Sequence, residues 1–361
     1  MRNQLLIIIP LVLGMFFTGC SKQNAYLGLI VPIPGEAGIS IRNGVLLAVE
    51  EANYSGNIRG RKINIILKNE HSDTKEFEDI IEYFDKKEVF SIIGGLHLIS
   101  PQLDLIDRRN IPCITFTKTP LTHQGSGRMI FRIFNSDALQ AAKLAELGCK
   151  ALSLKSYISV IPVVTRTHPS TIYEAKRFAE EFSSAVQVWG SKMISVRKIN
   201  VDEDFQKYIP VLKQAECIVL LGSVYESSIF CQKIKNLNIP ILTWDRLHNN
   251  KFIYNGGENV NGIKFIGTSY QQTPSGTDFI KRYNNRFSEP PNQYAIAGYE
   301  SAKIILEAAK KSNFERQKIA SVISGAKELK GVSGTITFDS SGSIIRDMTI
   351  IKIKDGEFLS L

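Results

Sequence analysis

Five polar stretches of this 361-residue chain stand where an apolar, strand-like run gives way to a turn or a helix. They are Gly94-Gly-Leu-His-Leu-Ile-Ser100-Pro101, Thr115-Phe-Thr117-Lys-Thr119, Thr165-Arg-Thr-His168, Ser223-Val-Tyr225 and Trp244-Asp245. Junctions of this kind bind ligands for an elementary reason. The first N–H groups of a helix have no partner inside it, and its dipole favours a negative charge there. A carboxylate such as Asp245 does the opposite, accepting a charge-assisted hydrogen bond roughly twice as strong as a neutral one. Each residue also has a plainer reading. Ser100 before Pro101 is a helix N-cap signal, and capping alone would explain it. Threonines after a strand often do no more than satisfy turn backbone groups. Asp245 would serve equally as an N-cap or as a surface partner of Arg246.

Signatures of catalysis are missing from the sequence. There is no Gly-Lys dipeptide and hence no P-loop, no G-x-S-x-G elbow, no G-x-G-x-x-G and no H-E-x-x-H. The five histidines (71, 97, 123, 168 and 248) lack metal-ligand spacing, so no metal and no cofactor is expected. This moves the balance toward a binding protein. The formal charge of +9 is spread thinly, with no lysine/arginine block long enough to track a nucleic acid. Hydrophobic content of 43% and charged content of 22% are those of an ordinary globular protein.

The elements that must position these stretches alternate. Tyr26 to Val31 is an apolar run of strand length. Pro32, Pro34, Gly35 and Gly38 break it, and Ile41, Val45, Ala48, Val49 and Ala52 then fall on one helix face that Gly56 and Gly60 end. Residues 62–67 return as a strand. The rhythm continues with helix 73–86, strand 89–93, helix 101–109, strand 113–117 and, after a polar loop, strand 129–134. A second cycle predicts helix 137–147, strand 158–164, helix 173–182, strand 186–196, helix 205–213, strand 217–221, helix 226–237 and strand 239–243. Strands joined through helices make parallel sheets with right-handed crossovers. The expected class is therefore α/β, in doubly wound lobes, and the length gives a prior of two of them.

Four dispersed motifs carry a family resemblance. Asn43-Gly44, Ala48, Glu51, Asn53 and Gly60-Arg61-Lys62 match an "N-G-x-x-x-A-x-x-E-x-N" helix followed by a "G-R-K" turn. Met129-Ile-Phe-Arg132 resembles a "VFR" strand, and Tyr294-Ala-Ile-Ala-Gly-Tyr-Glu-Ser-Ala302 resembles a "Y-A-x-x-A-Y-D-A" helix. Residues 331–342 resemble a "G-V-T-G-x-x-x-F-D-x-x-G-D" hairpin. In this order the motifs resemble the type I periplasmic binding proteins, in particular the leucine/isoleucine/valine-binding branch.

That resemblance implies two Rossmann-like lobes joined by three crossover segments, near Asn135, near 268–270 and near 339–342. The N-lobe would take residues 25–136 and 269–338, and the C-lobe residues 137–268 and 339–361. It implies an extracytoplasmic, monomeric protein that closes by a hinge on a small ligand, an amino acid or related carboxylate, and delivers it to an ABC permease. Ser100 would belong to the loop that meets the ligand carboxylate, although Leu96, Leu98 and Ile99 fill much of that space and the loop is shorter than the family's. Thr119 falls on the threonine that contacts both ends of the amino acid, and Thr117 on a backbone contact. His168 lies where an aromatic closes over the ligand, Tyr225 where a tyrosine is supplied, and Asp245 where an acid holds the ligand ammonium. The family's N-lobe disulfide would fall on Ser72 and His97, so that bridge is missing. A sensory receptor of the same fold, docking on a membrane signalling partner, and an exported enzyme remain as rivals.

Residues 1–19 read as a leader: Arg2, then an apolar run from Leu5 to Phe17 too short to span a bilayer, which needs about 20 residues. Phe17-Thr-Gly-Cys20 resembles a lipobox, making Cys20 the expected site of lipid attachment and 20–24 a tether; an ordinary signal peptide is the alternative. Of the other cysteines (113, 149, 217 and 231), Cys113 and Cys217 sit in apolar runs and read as small hydrophobes.

Overall fold

A computed structural model describes residues 24–70, 73–118, 129–270 and 273–361. The first half runs β1 (Ala25–Val31), α1 (Glu36–Tyr54), β2 (Ile63–Asn69), α2 (Thr74–Lys86), β3 (Ser91–Gly94), α3 (Ser100–Arg108), β4 (Cys113–Thr115) and β5 (Ile130–Arg132). The second cycle is α4 (Asp137–Glu146), β6 (Ser156–Val163), α5 (Pro169–Val188), β7 (Lys192–Asn200), α6 (Ile209–Leu212), β8 (Cys217–Leu220), α7 (Val224–Ile234), β9 (Ile241–Thr243), α8 (Asn250–Gly256) and β10 (Lys264–Gly267). The chain then adds α9 (Pro274–Phe287), α10 (Gln293–Ser312), α11 (Arg316–Gly325), β11 (Leu329–Gly331), β12 (Gly334–Phe338), β13 (Ile344–Ile345), β14 (Thr349–Lys354) and β15 (Glu357–Ser360).

One sheet has the order β2-β1-β3-β4-β5, and its pairings are parallel. The larger sheet has the order β15-β14-β10-β9-β8-β6-β7, parallel from β10 to β7, with β14 and β15 added antiparallel. Both parallel parts place the first strand between the second and the third, so each has a switch point where successive loops diverge at the strand carboxyl ends, the usual place for a ligand. One core gathers side chains from 25–134 and 270–344, a second from 30–130 lies beside it, and a third draws on 141–266 and 351–358. The expected α/β architecture of two lobes is the one observed.

Several boundaries differ from expectation, each with a local cause. α1 begins at Glu36 rather than near Ile41, so Gly38 lies inside it. A Cβ at Gly38 would stand 2.0 Å from the Pro32 carbonyl oxygen, so glycine there lets the first turn press against the loop before it. α5 runs on to Val188 and takes residues expected to open a strand. Val186 is fully buried on its inner face, and Gly190, at φ 71°, turns the chain into β7. The helix expected at 205–213 is a 3-10 turn followed by the single turn α6, because Pro210 has no N–H to continue a hydrogen-bonded run. The cysteines at 113, 149, 217 and 231 are free and buried. Among the described residues no helix is long and apolar enough to cross a membrane.

Candidate functional site

The carboxyl ends of β4 and β9 converge on one buried contact. Lys118, three residues past β4, places Nζ 2.5 Å from Asp245 Oδ1, two residues past β9. Gln140 Nε2 of α4 donates to the other oxygen, Oδ2, at 2.7 Å. Only 8% of the Lys118 side chain and 11% of the Asp245 side chain meet solvent, so the pair sits in a medium where charge counts for much more than in water. The Lys118 ammonium also lies 5.3 Å from the ring centre of Phe134.

Both residues are held from behind. The Thr115 hydroxyl and the Phe116 N–H donate to the Gly95 carbonyl at 2.8 and 3.1 Å, tying the segment after β4 to the loop after β3. Thr117 is buried and its hydroxyl donates to the Leu98 carbonyl at 3.4 Å, which continues the same tie. On the other side, Trp244 donates its indole N–H to the Gly222 carbonyl at 3.1 Å and meets Phe178 edge-on, fixing the turn that presents Asp245.

The loop of residues 94–99 makes a second arrangement. Its N–H groups at Leu96 and His97 donate to Glu70 Oε2 and Oε1 at 2.9 and 2.7 Å. Burial pushes the Glu70 carboxyl above its ordinary value, against the pull of these two bonds and of His97. The His97 ring then reaches Glu174 on α5, Nδ1 to Oε1 at 3.4 Å. That hydrogen bond raises the His97 pKa, burial and Arg246 oppose it, and Glu70 supports it. Burial alone would raise Glu174, but His97 and Arg246 outweigh it and hold the carboxyl at about 2. Arg246 also lies 3.6 Å from Asp137, which Arg177 contacts at 2.9 Å. A third link joins Glu36 of α1 to Lys251 at 3.1 Å and to Asn249 at 3.2 Å.

Next to the ion pair lies a cavity of about 40 Å³ lined by Phe134, Asn135, Asp245, His248, Tyr270 and Arg346 among others. Among the described residues, Asn135 Oδ1, His248 Nε2 and Arg346 Nε are buried without a hydrogen-bond partner, as is Gln140 Oε1. Polar walls and this volume suit a few ordered waters. Burial pushes His248 down to about 4, with the Asp245 charge pulling the other way, so its ring is neutral near pH 7.

Of the residues the sequence named, Asp245 stands at the centre of the contact and Thr117 in the wall behind Lys118. Ser100 is not the cap of α3: it is the first helical residue, after Ile99, and Gln102 Oε1 accepts from the Ile99 N–H at 3.2 Å. His168 caps α5, its Nδ1 accepting from the Ser170 N–H at 3.2 Å, and is exposed. Tyr225 lies in the first turn of α7 and is 60% exposed. Arg246 pairs with Glu174 and Asp137 on its own lobe. Thr119, Ser72 and Cys20 lie outside the described residues. Sequence reasoning missed Lys118, Glu70 and Gln140. A lysine between threonines at a strand end, and a glutamate directly after a strand, were the available signals.

Residues 25–357 match the sequence profile of the periplasmic binding proteins. The chain belongs to that family. The Leu/Ile/Val-binding protein homolog 1 of Brucella suis biovar 1 (strain 1330) is 24% identical over 356 residues, covering 95% of this chain and 93% of the relative. This periplasmic binding protein also superposes on solved structures. The branched-chain amino acid transporter substrate binding protein LivJ from Streptococcus pneumoniae, in complex with isoleucine, matches at a TM-score of 0.76 and 19% identity, over 93% of this chain and 98% of that one. A solute binding protein of an ABC transporter from R. palustris, in complex with benzoate, matches at 0.77 and 16% identity, over 94% and 95%. At such identities the likeness is one of fold.

Proposed function

We propose that this periplasmic binding protein is an extracytoplasmic lipoprotein that captures a small solute between its lobes and hands it to an ABC permease. The solute is an amino acid or a related small carboxylate. The observation that carries this reading is the Lys118–Asp245 contact, which brings together the strand carboxyl ends of two sheets. Groups that meet only when two lobes are together give a ligand something to recognise in the closed form alone. That difference in affinity is what shifts an open–closed equilibrium. The solute class draws support from relatives, one named for leucine, isoleucine and valine and two seen with isoleucine and with benzoate.

In this reading residues 25–136 with 269–338 form one lobe and 137–268 with 339–361 the other. Thr119 and Asp245 face the solute from opposite lobes, with Ser100, Thr117, His168 and Tyr225 around them. Cys20 carries the lipid after removal of residues 1–19, and the protein works as a monomer without a cofactor.

A thermal-shift screen against amino acids and small organic acids tests the binding claim. A true solute at a hundred times its Kd stabilises the folded form by about 2.7 kcal/mol, an easily read rise in Tm. Absence of stabilisation by every compound in both classes would overturn the reading.

A further inference from the structure

We infer, on the solute-binding reading above, that the ligand is a small organic acid without an amine, and that Lys118 makes that choice. An α-amino acid brings two charges to a cleft. Its ammonium needs an acceptor and its carboxylate needs donors. The protein's own groups already stand at both stations. Asp245 holds the Lys118 ammonium at 2.5 Å and the Gln140 amide at 2.7 Å. The Leu96 and His97 N–H groups, at the turn where a carboxylate would dock, hold the Glu70 carboxylate at 2.9 and 2.7 Å.

Seating a ligand ammonium on Asp245 therefore sets two cations against one buried carboxylate, or drives Lys118 off it. The displaced ammonium would lose its fixed partner and keep only the ligand's own carboxylate as counter-charge, over the Phe134 ring in a site where only 8% of its side chain meets water. An amine-free acid requires no exchange at Asp245: it adds a second carboxylate to Lys118, whose ammonium then bridges two anions. Lys118 carries three N–H donors, and the contact with Asp245 uses one of them. Among the described residues no further hydrogen bond engages the other donors, so they can meet a ligand carboxylate while the pair stays intact. The same anion is turned away from the 96–97 turn by the charge of Glu70, so Lys118 is the station left to it.

The test is titration calorimetry on the full-length protein with matched pairs: leucine and isocaproate, phenylalanine and phenylpropionate, and benzoate as a third acid. The acid of each binding pair should bind at least about 30-fold tighter than its amino partner, the lower bound for disrupting a buried charge pair. Lys118→Met, which keeps length without charge, should weaken the acid by a similar factor and let the amino partner gain on it, because Asp245 then lacks a cation. Lys118→Arg should keep the preference for the acid. An amino acid that binds the unaltered protein as tightly as its amine-free partner overturns the inference and leaves the solute-binding reading standing. That comparison needs no variant, so a misfolded mutant does not blunt it. If no compound of either kind binds, the solute-binding reading itself has failed, and this inference with it.

Discussion

Lys118 and Asp245 join the five-stranded and the seven-stranded sheet of this periplasmic binding protein through one buried ion pair, Nζ to Oδ1 at 2.5 Å. Removing one partner of such a pair and keeping the lobes together strands a charge, at a cost of about 3–5 kcal/mol. Opening the lobes lets water reach that charge and avoids most of the cost. Lys118→Met and Asp245→Asn should therefore each raise the radius of gyration of the ligand-free protein in solution scattering. The double variant Lys118→Met/Asp245→Leu strands no charge and should stay compact. Single variants as compact as the original protein would show that the pair does not hold the lobes together.

A second cross-lobe contact titrates. The Glu174 hydrogen bond lifts His97 above its ordinary value of about 6.5. A histidine raised by folding stabilises the folded form fully below the unfolded pKa, and that contribution is lost as pH rises through the folded pKa. Glu70, Glu174 and Arg246 are the charged groups facing the ring, and Glu174, held at about 2, stays ionised through this range. The stability difference between the unaltered protein and His97→Gln should therefore be largest near about pH 5.5 and should shrink toward about pH 8.5. Urea unfolding across that range measures it. A difference that grows with pH would assign the coupling to another group.

The anchor is tested apart from the fold. With Cys20 as the acylated residue, Cys20→Ser should lose labelling by radioactive palmitate and release the protein from membranes. Equal labelling of the variant would place the lipid elsewhere.

The alternation of strand and helix was legible because each element carries its own periodicity, and the junctions were legible because glycine, proline and capping residues mark them. Asp245 stands out in the sequence because it follows a strand and falls where the resemblance implies an acid. Its partner does not. Lys118 lies 127 residues away, and its place between threonines at a strand end does not by itself say which carboxylate it meets. Glu70 has the same history, since its bonds to Leu96 and His97 cross from one strand end to the next. The length of α5 was misread for a related reason. Valines at 186 and 188 favour a strand by type, yet burial of Val186 against the core outweighs that preference.

The packing of α1 on α10 offers a test of the fold that leaves the site untouched. The two helices meet through glycines. A Cβ added at Gly44 would stand 2.0 Å from the Ala295 carbonyl oxygen and 2.8 Å from the Tyr299 nitrogen, and one at Gly298 would stand 2.4 Å from the Ile41 carbonyl oxygen. These neighbours are backbone, which cannot swing aside as a side-chain end can, so the helices must part. Alanine is the better helix former by about 1 kcal/mol, while overpacking a fitted interface costs about 1–3 kcal/mol. With contacts this short the second effect should win, and Gly44→Ala should lower Tm by several degrees. Gly325→Ala at the end of α11 is the control, since a Cβ there meets nothing within 4 Å. It should leave Tm unchanged or raise it slightly. If calorimetric scans show the two variants equally stable, the close approach of α1 and α10 is not what fixes the glycine at position 44.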